Sequence, residues 1–283
     1  MDVQRVAKKI ATNVASHLDQ AKIPNVLFGW LAVTLAGGCK PMTEVDFVIP
    51  DAYMPAAVIA LTQAMYNSRS AGHGDRKYSE TLVNNYHPVP AAHYHLESNK
   101  FVLFLHIQSS LLWWLPPDAL TIEPPAPNDP LFMLSSDRRL QAYSQDPDAA
   151  SWLTDYGLKV LTPSALTEAK LYLYCRDSAR SHTLLITWDF MLIRLSDKGY
   201  CIRNTDCVDH PHGDCIPKRL RPRFQRAWDM LNGRIPRPWG QRSPYVGVHR
   251  LRNELAESGE LGPLVDRKNY RKPETVAGPL EHL

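Results

Sequence analysis

Apolar and polar positions alternate between two periods along this chain, and the switches mark its elements. Over 1–20, Val3, Val6, Ile10, Val14 and Leu18 recur at helical spacing, with Lys8, Lys9 and Asp19 off the stripe, which predicts an amphipathic helix. "NVLFG" then reads as a short strand ending at Gly29, and "WLAVTLAGG" as a short helix closed by Gly37-Gly38. "EVDFVIP" is a strand stopped by Pro50, and "DAYMPAAVIALTQAMYNS" a helix for which Asp51 is a competent N-cap. "AAHYHLE" and "FVLFLHIQ" flank the polar turn "SNK" and predict a β-hairpin.

From Pro116 to Pro130 proline density predicts an irregular loop or a disordered insertion. Order returns with a strand in "YGLKVLTP" and helices in "SALTEAKLYLYCRD", with Ser164 as N-cap, and "HTLLITWDFMLIRL". The expected organisation is a core over 1–198, then over 199–283 a Cys/His loop and an Arg-rich, irregular basic extension. No internal repeat is visible.

The acidic pair of "TEVDFVI" raises the first chemical question. Glu44 and Asp46 stand two apart in a strand, so both carboxylates face one side while Val45 and Phe47 face the other. Neighbouring anions repel, and a divalent cation held by hard oxygen ligands offsets both the repulsion and the cost of burial. The alternative is a solvated strand edge.

Element order and residues together resemble the nucleotidyltransferase fold family of the DNA polymerase beta type, in its minimal and abortive-infection toxin-like branch with uncharacterised fungal members. That family shows a strand ending in a Gly-Gly or Gly-Ser turn, a short helix, then a strand with two acids separated by one apolar residue. "VLFGWLAVTLAGGCKPMTEVDFVIPD" matches this, with Gly29 at the turn and Glu44 and Asp46 as the acids. The run from "VLTPSALTEAK" to "WDFMLIRL" is similar to the family's second segment, bearing Lys170 and then Asp189.

The resemblance implies an α/β fold, a mixed sheet flanked by helices. It also implies transfer of a nucleoside monophosphate from a nucleoside triphosphate to a hydroxyl of RNA, protein or a small molecule. Glu44 and Asp46 would hold Mg²⁺ as the catalytic acids, Gly29 and Trp30 would lie at the nucleotide, and Lys170 would neutralise a phosphate. Three positions depart from the pattern: Trp30 stands at the second glycine or serine, Glu44 replaces an aspartate, and Phe104 and His106 occupy the strand of the third acid, with Glu97 the nearest acid. The alternative is therefore a catalytically degenerate binding module on the same fold. For Lys170 the plain alternative is a solvated lysine, and for Asp189 a local cap or pair.

Other clusters widen the choice. Cys201, Cys207, His210, His212 and Cys215 share one loop and include a possible zinc set, with Cys201, Cys207, His210 and Cys215 as candidates, though the spacing is irregular. His93 and His95 are expected on one face of the hairpin with His106 opposite, either as a transition-metal site or as ordinary half-exposed histidines. "HGDR" at 73–76 reads as a surface turn. Arg219, Arg221, Arg223, Arg226, Arg234, Arg237, Arg242 and Arg250, interleaved with Trp228, Trp239 and Tyr245, suit either RNA or DNA binding or a layer wrapped over the core.

Composition narrows little. The 283 residues, 44% hydrophobic and 22% charged with a net charge of +3, describe an ordinary globular chain. No run reaches the roughly 18–20 apolar residues of a membrane span. The first helix lacks the continuous apolar core of a signal peptide, and five cysteines are an odd number, so a cytoplasmic or nuclear, non-secreted chain with reduced thiols is expected.

Overall fold

A computed structural model describes residues 3–36, 43–64, 66, 88–96, 100–141, 156–178, 182–195, 219–236 and 245–263. The Cys/His loop of 201–215, Glu97, Arg237, Trp239, Arg242 and the turn at 73–76 lie outside the described residues.

The fold is α/β, with a six-stranded mixed sheet ordered β3-β4-β2-β1-β6-β5. Its strands are β1 (Val26–Phe28), β2 (Glu44–Ile49), β3 (Ala92–Leu96), β4 (Phe101–Ile107), β5 (Phe132–Leu134) and β6 (Lys159–Leu161). β2 runs antiparallel to β1 and parallel to β4; β3 and β4 form the expected hairpin. The described helices are α1 (Val3–Gln20), α2 (Gly29–Leu35), α3 (Met54–Gln63), α4 (Gln108–Leu111), α5 (Arg138–Gln141), α6 (Pro163–Asp177), α7 (His182–Leu195), α8 (Pro222–Leu231) and α9 (Val246–Glu257). Among the described residues no helix is long and apolar enough to cross a membrane.

Register sorts the sheet into two faces. Val45, Phe47, Tyr94 and Leu103 fall on one, and they are fully buried. Tyr66, which follows α3, meets both Tyr94 of this face and His17 of α1 edge-on, so α1 and α3 belong to this side. Ile10, Val14 and Leu18 of α1 are buried as their spacing predicts, but Lys8, expected off the stripe, is buried with them.

Helix α6 occupies the other side. Every residue of it except Ser164 is buried, because the sheet lies along one flank and α7 and α9 along others. Such a helix shows no amphipathic period. It is capped by Thr162, whose hydroxyl accepts from the Ala165 amide at 3.2 Å, and Ser164 is not the cap. Pro163 in the first turn explains the boundary, since its fixed φ suits that position and its missing N–H would be unpaired there anyway.

Asp51 also does not cap its helix. It starts a 3-10 turn, Asp51–Tyr53, and its carboxylate instead accepts from the amide of Ser109 at 3.0 Å, tying the turn to α4. The Pro116–Pro130 loop is irregular, as its prolines require, but it is held at both ends. Lys159 Nζ donates to the carbonyls of Thr121 and Glu123, and Asp129 Oδ1 accepts from the amides of Leu131 and Phe132 at 2.8 and 2.9 Å.

The expected irregular extension instead carries α8 and α9. Phe224, Ala227 and Trp228 of α8 and Val248, Leu251 and Leu255 of α9 are buried in the same hydrophobic core as the sheet. Trp228→Ala should therefore lower the stability of the whole protein by about 3–5 kcal/mol, the usual cost of emptying a buried tryptophan site. Chemical denaturation followed by circular dichroism would show one transition moved to lower denaturant. An unmoved transition would contradict a shared core.

Candidate functional site

The site is built where β1, α2 and β2 meet. Phe28 lies directly across from Asp46 in the β1–β2 register, and the chain turns into α2 at Gly29 with φ of 65°. That left-handed conformation favours glycine. A Cβ on Gly29 would fall inside the Asp46 carboxyl group, so two separate constraints exclude any other residue. Trp30 is buried in the core of α2.

Glu44 and Asp46 share one face of β2, as alternation predicts. Glu44 is partly buried, whereas Asp46 is only 2% exposed. Asp46 Oδ1 and His106 Nε2 are 3.1 Å apart, a buried hydrogen bond between neighbouring strands. The residue paired with Asp46 on β4 is Phe104, so an aromatic ring and not a further carboxylate lies next to it in the sheet.

Lys170 of α6 completes the group. Its side chain is fully buried, with Nζ 3.3 Å from the centroid of the Phe28 ring and 5.2 Å from that of Trp188. No hydrogen-bond acceptor reaches this nitrogen among the described residues. Burial pushes the ammonium well below the usual lysine range, and the Asp46 charge pulls it back up. The plain alternative of a solvated lysine does not hold for Lys170, whose buried side chain lies over Phe28 beside the acidic strand.

The hairpin histidines are arranged differently from expectation. His93 pairs with Phe104, and His95 with Val102, on the partner strand that carries His106 two residues after Phe104. All three therefore share the face of Glu44 and Asp46, and His106 is not opposite the others. His93 and His95 meet edge-on at 5.4 Å between ring centroids, while His106 belongs to Asp46. Among the described residues no three His, Cys, Asp or Glu side chains gather as metal ligands do.

Asp46 suits a divalent-ion site poorly. One oxygen is engaged by His106, the carboxyl is enclosed, and the residue paired with it on β4 is the uncharged Phe104. Asp189 stands elsewhere, accepting a hydrogen bond from the Tyr245 hydroxyl, with burial raising its carboxyl above the usual range.

A second polar group was not legible beforehand. Arg176 and Asp177, both buried, form an ion pair with Nε–Oδ1 of 2.7 Å and Nη2–Oδ2 of 3.1 Å. Arg176 also donates to the Ser110 carbonyl and lies over Trp113, while Trp188 Nε1 donates to Asp177 Oδ2 at 2.8 Å. Trp188 thus touches both this pair and Lys170, linking the end of α6 to the candidate site through α7.

Four arginines of the basic segment pair with carboxylates within the fold. Arg221 pairs with Glu168, Arg223 with Glu260, Arg234 with Asp229 and Arg250 with Glu254. Tyr172, stacked on Trp114 with centroids 4.5 Å apart, accepts from both Arg221 and Arg223. Of the interleaved aromatics, Trp228 is buried and offers no face for a base, and Tyr245, partly buried, has one face stacked on Tyr174 at 5.4 Å. Arg219 and Arg226 are exposed.

Comparison of the chain with protein-family models, curated proteins and solved structures finds no match.

Proposed function

We propose that this chain is a nucleotidyltransferase-like module that binds a nucleoside phosphate without transferring its nucleotidyl group. The observation that carries the reading is the Lys170 amine, buried beside the Phe28–Asp46 pair with no hydrogen-bond acceptor among the described residues. A buried amine without an acceptor is costly, and a phosphate oxygen entering beside Gly29 would satisfy it. The resemblance in "VLFGWLAVTLAGG" and "TEVDFVI" supplies the nucleotide as the class of ligand. Loss of transfer follows from Phe104 and His106. In-line displacement in two-metal sites relies on carboxylates that clamp the attacking and leaving oxygens, and here the neighbouring strand offers a ring and an imidazole already bonded to Asp46.

Titration of each nucleoside triphosphate into the purified chain, with pyrophosphate followed in parallel, tests this. Binding without pyrophosphate release is expected. Steady Mg²⁺-dependent release that Asp46→Asn abolishes would restore a transferase, and absence of binding by every nucleotide would remove the reading.

A further inference from the structure

We infer that Lys170, with Phe28 and His106, takes the place of the bridging divalent cation, so that the site binds nucleoside phosphates without a metal and Lys170 is what makes it metal-independent. The inference rests on the proposed function for its nucleotide arm and stands on its own for its metal arm.

A carboxylate 2% exposed requires a compensating positive charge or several donors, because isolated buried charge is strongly disfavoured. In a metal-dependent site the cation supplies that charge and simultaneously holds a phosphate oxygen. Here two side chains face Asp46 from different elements. His106 reaches Oδ1 from β4, and Lys170 enters from α6 over Phe28, the residue directly across from Asp46.

An ammonium can do the bridging that a metal does. It has three donors and no acceptor, so it can serve a carboxylate and a phosphate oxygen together. The Phe28 ring, 3.3 Å away, fixes the nitrogen from one side through its negative π face, and Trp188 at 5.2 Å adds a second ring. These contacts preorganise a flexible four-carbon chain, as coordination geometry would preorganise a metal. Burial disfavours the charged amine, but the Asp46 carboxylate favours its protonation, as an entering phosphate would; a divalent ion placed beside Asp46 would then meet a like charge in Lys170. That repulsion, in an enclosed site where screening is weak, is the physical reason for metal independence.

The geometry also explains the departures from the acidic pattern. With one positive charge rather than two, a third carboxylate would leave the site with excess negative charge. Phe104 at the position paired with Asp46 adds none, and His106 adds a hydrogen bond in its place.

The test uses the full chain as wild type, Lys170→Met, Asp46→Asn and the double variant. Methionine keeps the length and apolar stem of lysine while removing its charge. Titration with Mn²⁺ alone, read by its paramagnetic resonance signal, should show no Asp46-dependent binding in wild type. Lys170→Met should gain a Mn²⁺ site that the double variant loses. In EDTA, nucleoside triphosphate should bind wild type and bind Lys170→Met about tenfold to a hundredfold more weakly, the effect of losing one charge-assisted hydrogen bond. Mg²⁺ should recover binding only in Lys170→Met.

Wild-type Mn²⁺ binding that Asp46→Asn removes would overturn the inference, as would unchanged nucleotide affinity of Lys170→Met in EDTA. Should Lys170→Met fail to fold, wild type against Asp46→Asn with Mn²⁺ still decides. Should no nucleotide bind any variant, the proposed function falls while the Mn²⁺ titrations continue to read the role of Lys170.

Discussion

Gly29→Ala is expected to destabilise the protein by on the order of 3 kcal/mol and to disable the candidate site at the same time. The loss has two sources. A φ of 65° places an alanine methyl against its own backbone, which costs roughly 1–2 kcal/mol. The methyl would also occupy the Asp46 carboxyl group, which is enclosed and bonded to His106 and so has nowhere to retreat without breaking that bond. Double substitution separates the two. In an Asp46→Ala background the steric part disappears, so the same glycine change should cost only the backbone part. Thermal denaturation of the four proteins measures the difference, and equal costs in both backgrounds would show that Gly29 and Asp46 are not in conflict.

The second large effect concerns Arg176 and Asp177. Asp177→Ala should destabilise by about 3–5 kcal/mol, because it leaves a guanidinium 2% exposed without its anion and removes the acceptor of the Trp188 indole. Arg176→Met combined with Asp177→Leu should cost clearly less than Asp177→Ala alone, since a buried ion pair replaced by apolar groups of similar volume leaves no uncompensated charge. Denaturant midpoints at neutral pH provide the comparison. A double variant at least as unstable as the single one would mean that the pair contributes stability beyond its own charge balance.

Much of the fold was readable from local pattern. The hairpin, β2 and helices α1, α6 and α7 follow from periods of two and near four together with proline and glycine punctuation. Cap positions were less readable. Thr162 precedes Pro163 and has the signature of an N-cap, yet Ser164 is equally competent by residue type; only the proline at the first turn separates them. Asp51 was drawn away by Ser109, a partner 58 positions later in the chain.

The extension hid its helices behind composition. Phe224, Ala227, Trp228 and Leu231 have helical spacing, but surrounding prolines and arginines outweighed it. Arg250 and Arg234 find carboxylates four and five positions away, but Arg221 reaches Glu168 on α6 and Arg223 reaches Glu260 past α9, pairings that no local pattern announces.

The candidate site divides the same way. Glu44, Asp46 and Gly29 were legible because alternation and turn chemistry are local. The position of His106 was not, because its face depends on the register across the hairpin, and a shift of one residue reverses it. Lys170 was legible as a residue of interest only through resemblance. Its burial over Phe28 depends on how α6 lies across β1, a long-range fact.

The most direct measurement is a calorimetric titration of the nucleoside triphosphates into wild type, once in EDTA and once in Mg²⁺. At least one nucleotide should bind in EDTA with an affinity that Mg²⁺ does not improve. Binding that appears only with Mg²⁺ and vanishes in Asp46→Asn would contradict it, and would return Glu44 and Asp46 to the role of metal ligands.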